Sequence, residues 1–244
     1  KLPKMDPKEV AERLSAVYEA AALVRLSLLE DVPLIGFAGA PWTVACYMVE
    51  GGGSRDFAAV RKAAFADPNG FTALIDGLVA VTVEHLGRQV EAGAAAVQLF
   101  DSWAGVLAPS AFRRWVIEPT RAIVAGLRKR CGSDVPVIGF PRGGGALIPD
   151  YVAVTGVDAV GLDTSVPLEW ARVAIPAATA VQGNLDPMAV VAGGDALAAE
   201  VDQILGAFAG RPFVFNLGHG IVPETPIAHV EALVARVRAV GRSR

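Results

Sequence analysis

A chain of 244 residues that is 53% hydrophobic and only 19% charged can bury a sizeable core, which excludes an intrinsically disordered polypeptide. The net charge is −3 and the 22 basic residues are scattered, so no patch is set aside for nucleic acid or a membrane surface, and an anionic ligand would have to be met locally. Cys46 and Cys131 form no CxxC or Cys/His spacing, which fits a reducing, cytoplasmic compartment and supplies no metal frame.

In chain order, Asp6-Pro7-Lys8-Glu9 is a helix start, with an Asp cap, Pro at the first helical position and Glu three residues after the cap. The helix should run to about Leu29, because Val10, Leu14, Val17, Ala21, Val24 and Leu28 recur every three or four residues. Leu34 to Phe37 follows as a short buried strand bounded by Pro33 and Gly39-Ala40-Pro41. From there to Ser54 an irregular segment is expected, with Trp42, Tyr47 and Gly51-Gly52-Gly53 placed to touch a ligand. Mean hydropathy is +0.44 and Val32 to Val49 carries no charge, about the length of a minimal spanning helix. Pro33, Gly36, Gly39 and Pro41 argue against a membrane span, since they would leave backbone groups unsatisfied in lipid. The opening Lys1-Leu2-Pro3-Lys4 does not have the character of a signal peptide.

Helices are expected over Phe57–Ala66 and Phe71–Glu91, the second holding His85, read as a surface or satisfied histidine. Strand Ala94–Phe100 delivers Asp101-Ser102 to its C-terminal end, and Pro109–Arg130 is a helix whose arginines form a solvated face. Then come strand Val135–Phe140, helix Ala146–Val154, strand Ala159–Leu162, helix Pro167–Val173 and strand Thr179–Gln182, with a turn at Gly183–Pro187. Helix Ala196–Phe208, strand Pro212–Asn216 and helix Pro226–Val240 close the chain. Six strand–helix pairs with polar and glycine-rich residues at nearly every strand's C-terminal end predict a single domain, 1–244, holding about six units of a (β/α)8 TIM barrel. An open doubly wound sheet is the alternative, although no Gly-x-Gly-x-x-Gly opens the first helix.

Three segments carry a resemblance. Gly39-Ala40-Pro41-Trp42-Thr43 with Tyr47 to Ser54, Phe100-Asp101-Ser102 with Gly105, and Asn216-Leu217-Gly218-His219-Gly220 resemble, in this order, motifs of the uroporphyrinogen decarboxylases. Gly183-Asn184-Leu185-Asp186-Pro187 matches too, although Asp186 capping a helix at Pro187 would explain it structurally. The resemblance runs from about Pro33 to the C-terminus. It implies a carboxy-lyase that decarboxylates the four acetate side chains of uroporphyrinogen III to give coproporphyrinogen III in haem and chlorophyll biosynthesis. It also implies that no cofactor is used, and that the enzyme is a homodimer with facing clefts. The family's cleft residues carry over to Tyr47, Ser102 and His219, beside Phe37 and Phe100. Tyr47 and His219 are the catalytic candidates, polar contacts to substrate carboxylates either of which could shuttle a proton.

The sequence departs from the family in one respect. No Met-Arg-Gln-Ala-Gly-Arg type segment lies between Lys1 and Val32, so the pyrrole-facing aspartate and the arginine motif have no counterpart. The expectation is the C-terminal two thirds or so of such an enzyme, inactive alone. Three rival readings stand: a non-catalytic partial barrel kept for binding or dimerisation, a zinc-dependent methyltransferase of the same superfamily acting on corrinoids or thiols, and a phosphate-binding barrel built on the glycine triplets. The methyltransferase needs His-x-Cys with a further Cys, and neither cysteine has a histidine two residues away. Glycine triplets more often serve as hinges or tight turns.

Overall fold

The computed structural model describes residues 5–241. Asp6 caps the first helix as predicted, its carboxylate accepting the Lys8 N–H at 2.9 Å with Pro7 behind it. The expected single helix is two, α1 (Pro7–Arg13) and α2 (Ser15–Ser27), divided at Leu14, whose backbone leaves helical geometry. The predicted apolar stripe is therefore not one buried face: α1 buries Ala11, whereas α2 fully buries no side chain.

β1 (Ile35–Gly39) leads into α3 (Pro41–Glu50), where the sequence suggested an irregular segment. Pro41 stands at the first helical position, where its missing N–H costs nothing. Gly51, at φ 76°, closes the helix and donates its N–H to the Tyr47 carbonyl. The uncharged run Val32–Val49 is thus divided between a strand and a helix. α4 (Ala58–Ala66) and α5 (Pro68–Glu91) follow. By length and composition α5 could cross a membrane, and 44% of its apolar window is buried inside the protein, where it packs on α1, α3, α7 (Glu118–Cys131) and β1.

After β2 (Ala96–Asp101) the chain enters α6 (Pro109–Phe112), which passes through a widened π turn at Arg113–Ile117 into α7. Pro119 explains the widening. It has no N–H to give the Trp115 carbonyl, and its ring pushes that carbonyl away. β3 (Val137–Pro141) and α8 (Ile148–Thr155) complete a first compact unit ending at Asp158. Its three strands are parallel and in sequence order, registered Phe37↔Gln98↔Ile138 and Gly39↔Phe100↔Phe140. Gln89 of α5 closes the free edge of β1, since its side-chain amide accepts the Phe37 N–H at 3.0 Å and donates to the Phe37 carbonyl at 2.9 Å.

The second unit, from Ala159, holds β4 (Ala159–Gly161), α9 (Leu168–Ala174), β5 (Ala180–Leu185), α10 (Pro187–Ala192), α11 (Gly194–Ala207), β6 (Phe213–Leu217) and α12 (Ile227–Gly241). β4, β5 and β6 are again parallel and in sequence order. β5 is longer than expected, taking the supposed turn residues Gly183-Asn184-Leu185 into its ladder with Phe215, Asn216 and Leu217. Asp186 caps α10 by accepting the Met188 N–H, as its place before Pro187 predicts. Each of the six strands is followed by helix, the repeat of a (β/α) barrel.

Candidate functional site

Alternation along parallel strands assigns the residues of the first unit to two faces. Gly36, Ala38, Val97, Leu99, Asp101, Val137 and Gly139 share the face that packs under the helices, where a Cβ on Gly36 would touch Gln89 and one on Gly139 would touch Tyr151 of α8. Phe37, Phe100 and Phe140 share the other face. Their rings meet edge to face, at 5.8 Å for Phe37–Phe100 and 6.0 Å for Phe100–Phe140. Phe37 is 61% exposed although strand pairing holds its backbone, so an apolar ring is left open beside the strand ends. Phe140 is a member of this wall that the sequence reading missed. Its signal was present, because Phe140 is registered with Phe100 near the end of the next strand, and Phe37 lies on the same face two residues earlier in β1.

Behind these ends lies a polar lock joining two of the sequence motifs. Thr43 in the first turn of α3 donates its hydroxyl to Asp101 Oδ1 at 2.6 Å, and the same hydroxyl oxygen accepts the Trp103 N–H at 3.2 Å. Trp42, fully buried, donates its indole N–H to the Trp103 carbonyl at 3.0 Å. The 101–106 turn is seated on the next strand end as well. Arg142 N–H donates to the Asp101 carbonyl, Gly105 N–H donates to the Arg142 carbonyl, and a Cβ on Gly105 would fall 2.8 Å from Gly143 Cα. Asp101 is 2% exposed, and its Oδ2 has no hydrogen-bond partner among the described residues. Burial pushes its carboxyl up to about 7, with the Thr43 hydrogen bonds pulling the other way.

Tyr47, one turn beyond Thr43 on α3, is 45% exposed with its ring 6.3 Å from that of Trp103. Ser102 is half-buried between Asp101 and Trp103. The first unit therefore carries Phe37 and Phe100 on one sheet face and Tyr47 and Ser102 on the segments that follow β1 and β2. His219 belongs to the second unit, exposed in the segment after β6. Gly218 before it is required by packing, since a Cβ there would lie 2.6 Å from the Thr164 backbone nitrogen. Gly220 meets no such neighbour, so only one of the two flanking glycines is dictated by close approach. Asn184 organises this unit's strand ends, its buried amide donating to the Asp163 carbonyl at 3.0 Å and the Val166 carbonyl at 2.9 Å.

Among the described residues no three His, Cys, Asp or Glu side chains gather as a metal frame. Cys46 is buried, and desolvation, with Asp101 and Glu50 nearby, pushes its thiol up to about 12, so it stays protonated. His85 contacts Tyr18 Oη and Gln89 Nε2, each at 3.0 Å, a satisfied histidine as its sequence context suggested. A cavity of about 1080 Å³ in the second unit runs along α9 and α11 and contains none of the sequence-predicted site residues. Its charged lining is largely spent on ion pairs, Glu169 with Arg172 and Asp202 with Arg236.

A protein-family model described as uroporphyrinogen decarboxylase (URO-D) matches residues 1–240. Among curated relatives, uroporphyrinogen decarboxylase of Rhizorhabdus wittichii is 56% identical over 96% of this chain and 67% of its own length. That of Sphingopyxis alaskensis is 56% identical over 93% and 66%, and that of Granulibacter bethesdensis 49% identical over 98% and 70%. The chain thus spans about two thirds of the length of these relatives. A solved methyltransferase from Methanosarcina mazei superposes with a TM-score of 0.75 at 22% identity, covering 92% of this chain and 64% of its own, a likeness of fold alone. With the strand-end motifs on their expected strands and this similarity along nearly the whole sequence, the chain belongs to the uroporphyrinogen decarboxylase family.

Proposed function

We propose that this chain forms part of the cleft of a decarboxylase that converts the four acetate side chains of uroporphyrinogen III to methyls, giving coproporphyrinogen III. The observation carrying the reading is the apolar Phe37–Phe100–Phe140 wall, with Phe37 left open, in the same unit as the hydroxyls of Tyr47 and Ser102, because apolar rings and hydroxyl donors together suit a tetrapyrrole bearing carboxylates. In the proposed chemistry a pyrrole protonated at a ring carbon is the electron sink. The carbon–carboxylate bond breaks into it, CO2 leaves, and a proton then completes the methyl, so no cofactor is required. Tyr47 and Ser102 donate hydrogen bonds to substrate carboxylates, and His219 or Tyr47 relays the proton. The substrate is held by hydrogen bonding rather than by a metal, and the enzyme works as a cytoplasmic homodimer with no nucleic-acid or membrane partner.

The test supplies the third of the relatives' length that these 244 residues do not span. A chimaera joining the N-terminal third of the Rhizorhabdus wittichii relative to residues 1–244 is assayed anaerobically with uroporphyrinogen III, the products being oxidised and separated by chromatography. Coproporphyrin is expected from the chimaera and none from residues 1–244 alone, because the pyrrole-facing aspartate and arginine motif of the family have no counterpart here. In the chimaera, Tyr47→Phe and His219→Asn lower turnover with the melting temperature nearly unchanged, both side chains being well exposed. A chimaera that folds and consumes no substrate overturns the reading.

A further inference from the structure

The lock behind the strand ends is more elaborate than packing requires. A buried carboxylate with one unpartnered oxygen is costly to keep. Asp101 aims its one bonded oxygen at a hydroxyl 58 positions away in sequence, and that hydroxyl accepts the Trp103 N–H. Ser102 lies between the two anchored residues, and Tyr47 stands one helical turn beyond Thr43. Trp103 itself packs against the buried Phe57, ring centres 4.5 Å apart and tilted by 39°, so a shift of the turn would propagate into the core of the first unit.

We propose that Asp101 and Thr43 are positioning residues for the decarboxylation, the ionised carboxylate aiming the Thr43 hydroxyl and the hydroxyl fixing the turn that presents Ser102. The inference rests on the decarboxylase reading for its functional consequence, though not for the lock itself. A charge-assisted bond to a carboxylate is about twice as strong as its neutral counterpart, so protonating Asp101 loosens the turn. Burial makes that protonation reachable near neutral pH. The titratable groups that feel its charge are Cys46 on α3 and Tyr151 on α8, and burial raises both well above the range in which Asp101 titrates. Neither competes for the effect.

The expected result is a kcat/KM that falls as pH drops through about 7 in the chimaera, with that inflection absent in Asp101→Asn. Thr43→Val should lower kcat/KM about tenfold or more, mostly in kcat, as expected for a misplaced contact group, and Thr43→Ser should restore most of it. An Asp101→Asn variant that keeps the inflection, or a Thr43→Val variant within twofold of the parent, overturns the proposal. Tryptophan emission of the 244-residue chain itself, titrated from pH 5 to 9, gives a readout independent of turnover. A transition near 7 that disappears in Asp101→Asn supports the lock, and a featureless titration of the parent overturns it. If the chimaera makes no product while the emission transition is present, it is the decarboxylase reading that fails.

Discussion

Asp101→Asn should change how stability depends on pH, and the size of the change follows from the site. The carboxyl is raised from 3.8 to about 7, chiefly by burial. Each pKa unit is worth about 1.4 kcal/mol, so the folded state spends on the order of 4 kcal/mol in keeping Asp101 ionised. Because the folded pKa lies above the unfolded one, the native state binds the proton more tightly between the two values. Stability from this group is therefore fully present below about pH 4, declines as pH rises, and levels off above about 7. The amide variant has no such titration. It retains an acceptor for Thr43 but places an NH2 where Oδ2 has no partner, a cost of about 1–3 kcal/mol at every pH. Urea titrations of both proteins at intervals from pH 4.5 to 8.5 should show the variant less stable at the acid end and equal or superior at the alkaline end. Taking the difference between the two removes contributions from other ionisable groups. Parallel stability curves would refute the reasoning, since they would mean that Asp101 carries the same charge in the folded and unfolded chain.

Gly139→Ala should destabilise by about 1–3 kcal/mol in urea, because its Cβ would meet Tyr151 Cε1 and Cζ at 2.7 and 2.9 Å and the hydroxyl closer still, and that ring is buried and bonded to Thr120. Asn184→Asp should cost about 2–4 kcal/mol, since a carboxylate would face the Asp163 and Val166 carbonyls that the amide now serves; a stable variant would show that the amide is not the link. Gln89→Ala should speed hydrogen exchange at the Phe37 amide about tenfold or more, and unchanged exchange would assign the protection of that strand edge to something else.

The order of strands and helices was legible because short apolar runs ending in Gly, Pro and Asp are local signals. Asp6 and Asp186 could be read as caps for the same reason, a carboxylate needing only the N–H two residues on. Misreadings arose where one residue type serves two ends. Gly39-Ala40-Pro41 breaks a strand, but Pro41 also starts α3, and the glycine triplet is the close of that helix at Gly51. Gly183 and Asn184 have turn chemistry yet belong to β5. The reason lies in space, because a Cβ on Gly183 would fall 2.7 Å from the Leu162 carbonyl. Pro119 was silent in a pattern that counts apolar spacing, and it widens a helix without ending it.

The candidate site was legible in proportion to how local its residues' contacts are. Tyr47, Ser102 and His219 stand in contiguous motifs, and Phe37 and Phe100 precede them on strands. Asp101 was visible only as the neighbour of Ser102, since its role depends on Thr43, far away in sequence, and on helices that exclude water from one sheet face. The alternation of a strand explains why such a residue sits there. Phe100 goes to the open aromatic face, so Asp101 must go to the closed one, and a polar residue at that position is either an error or an anchor. Its hydrogen bond to Thr43, which bonds Trp103 in turn, makes it an anchor. A protein maintaining an ionised group there gives up stability it could recover with an amide, and that loss is intelligible only if the turn bearing Ser102 must be held more rigidly than folding demands.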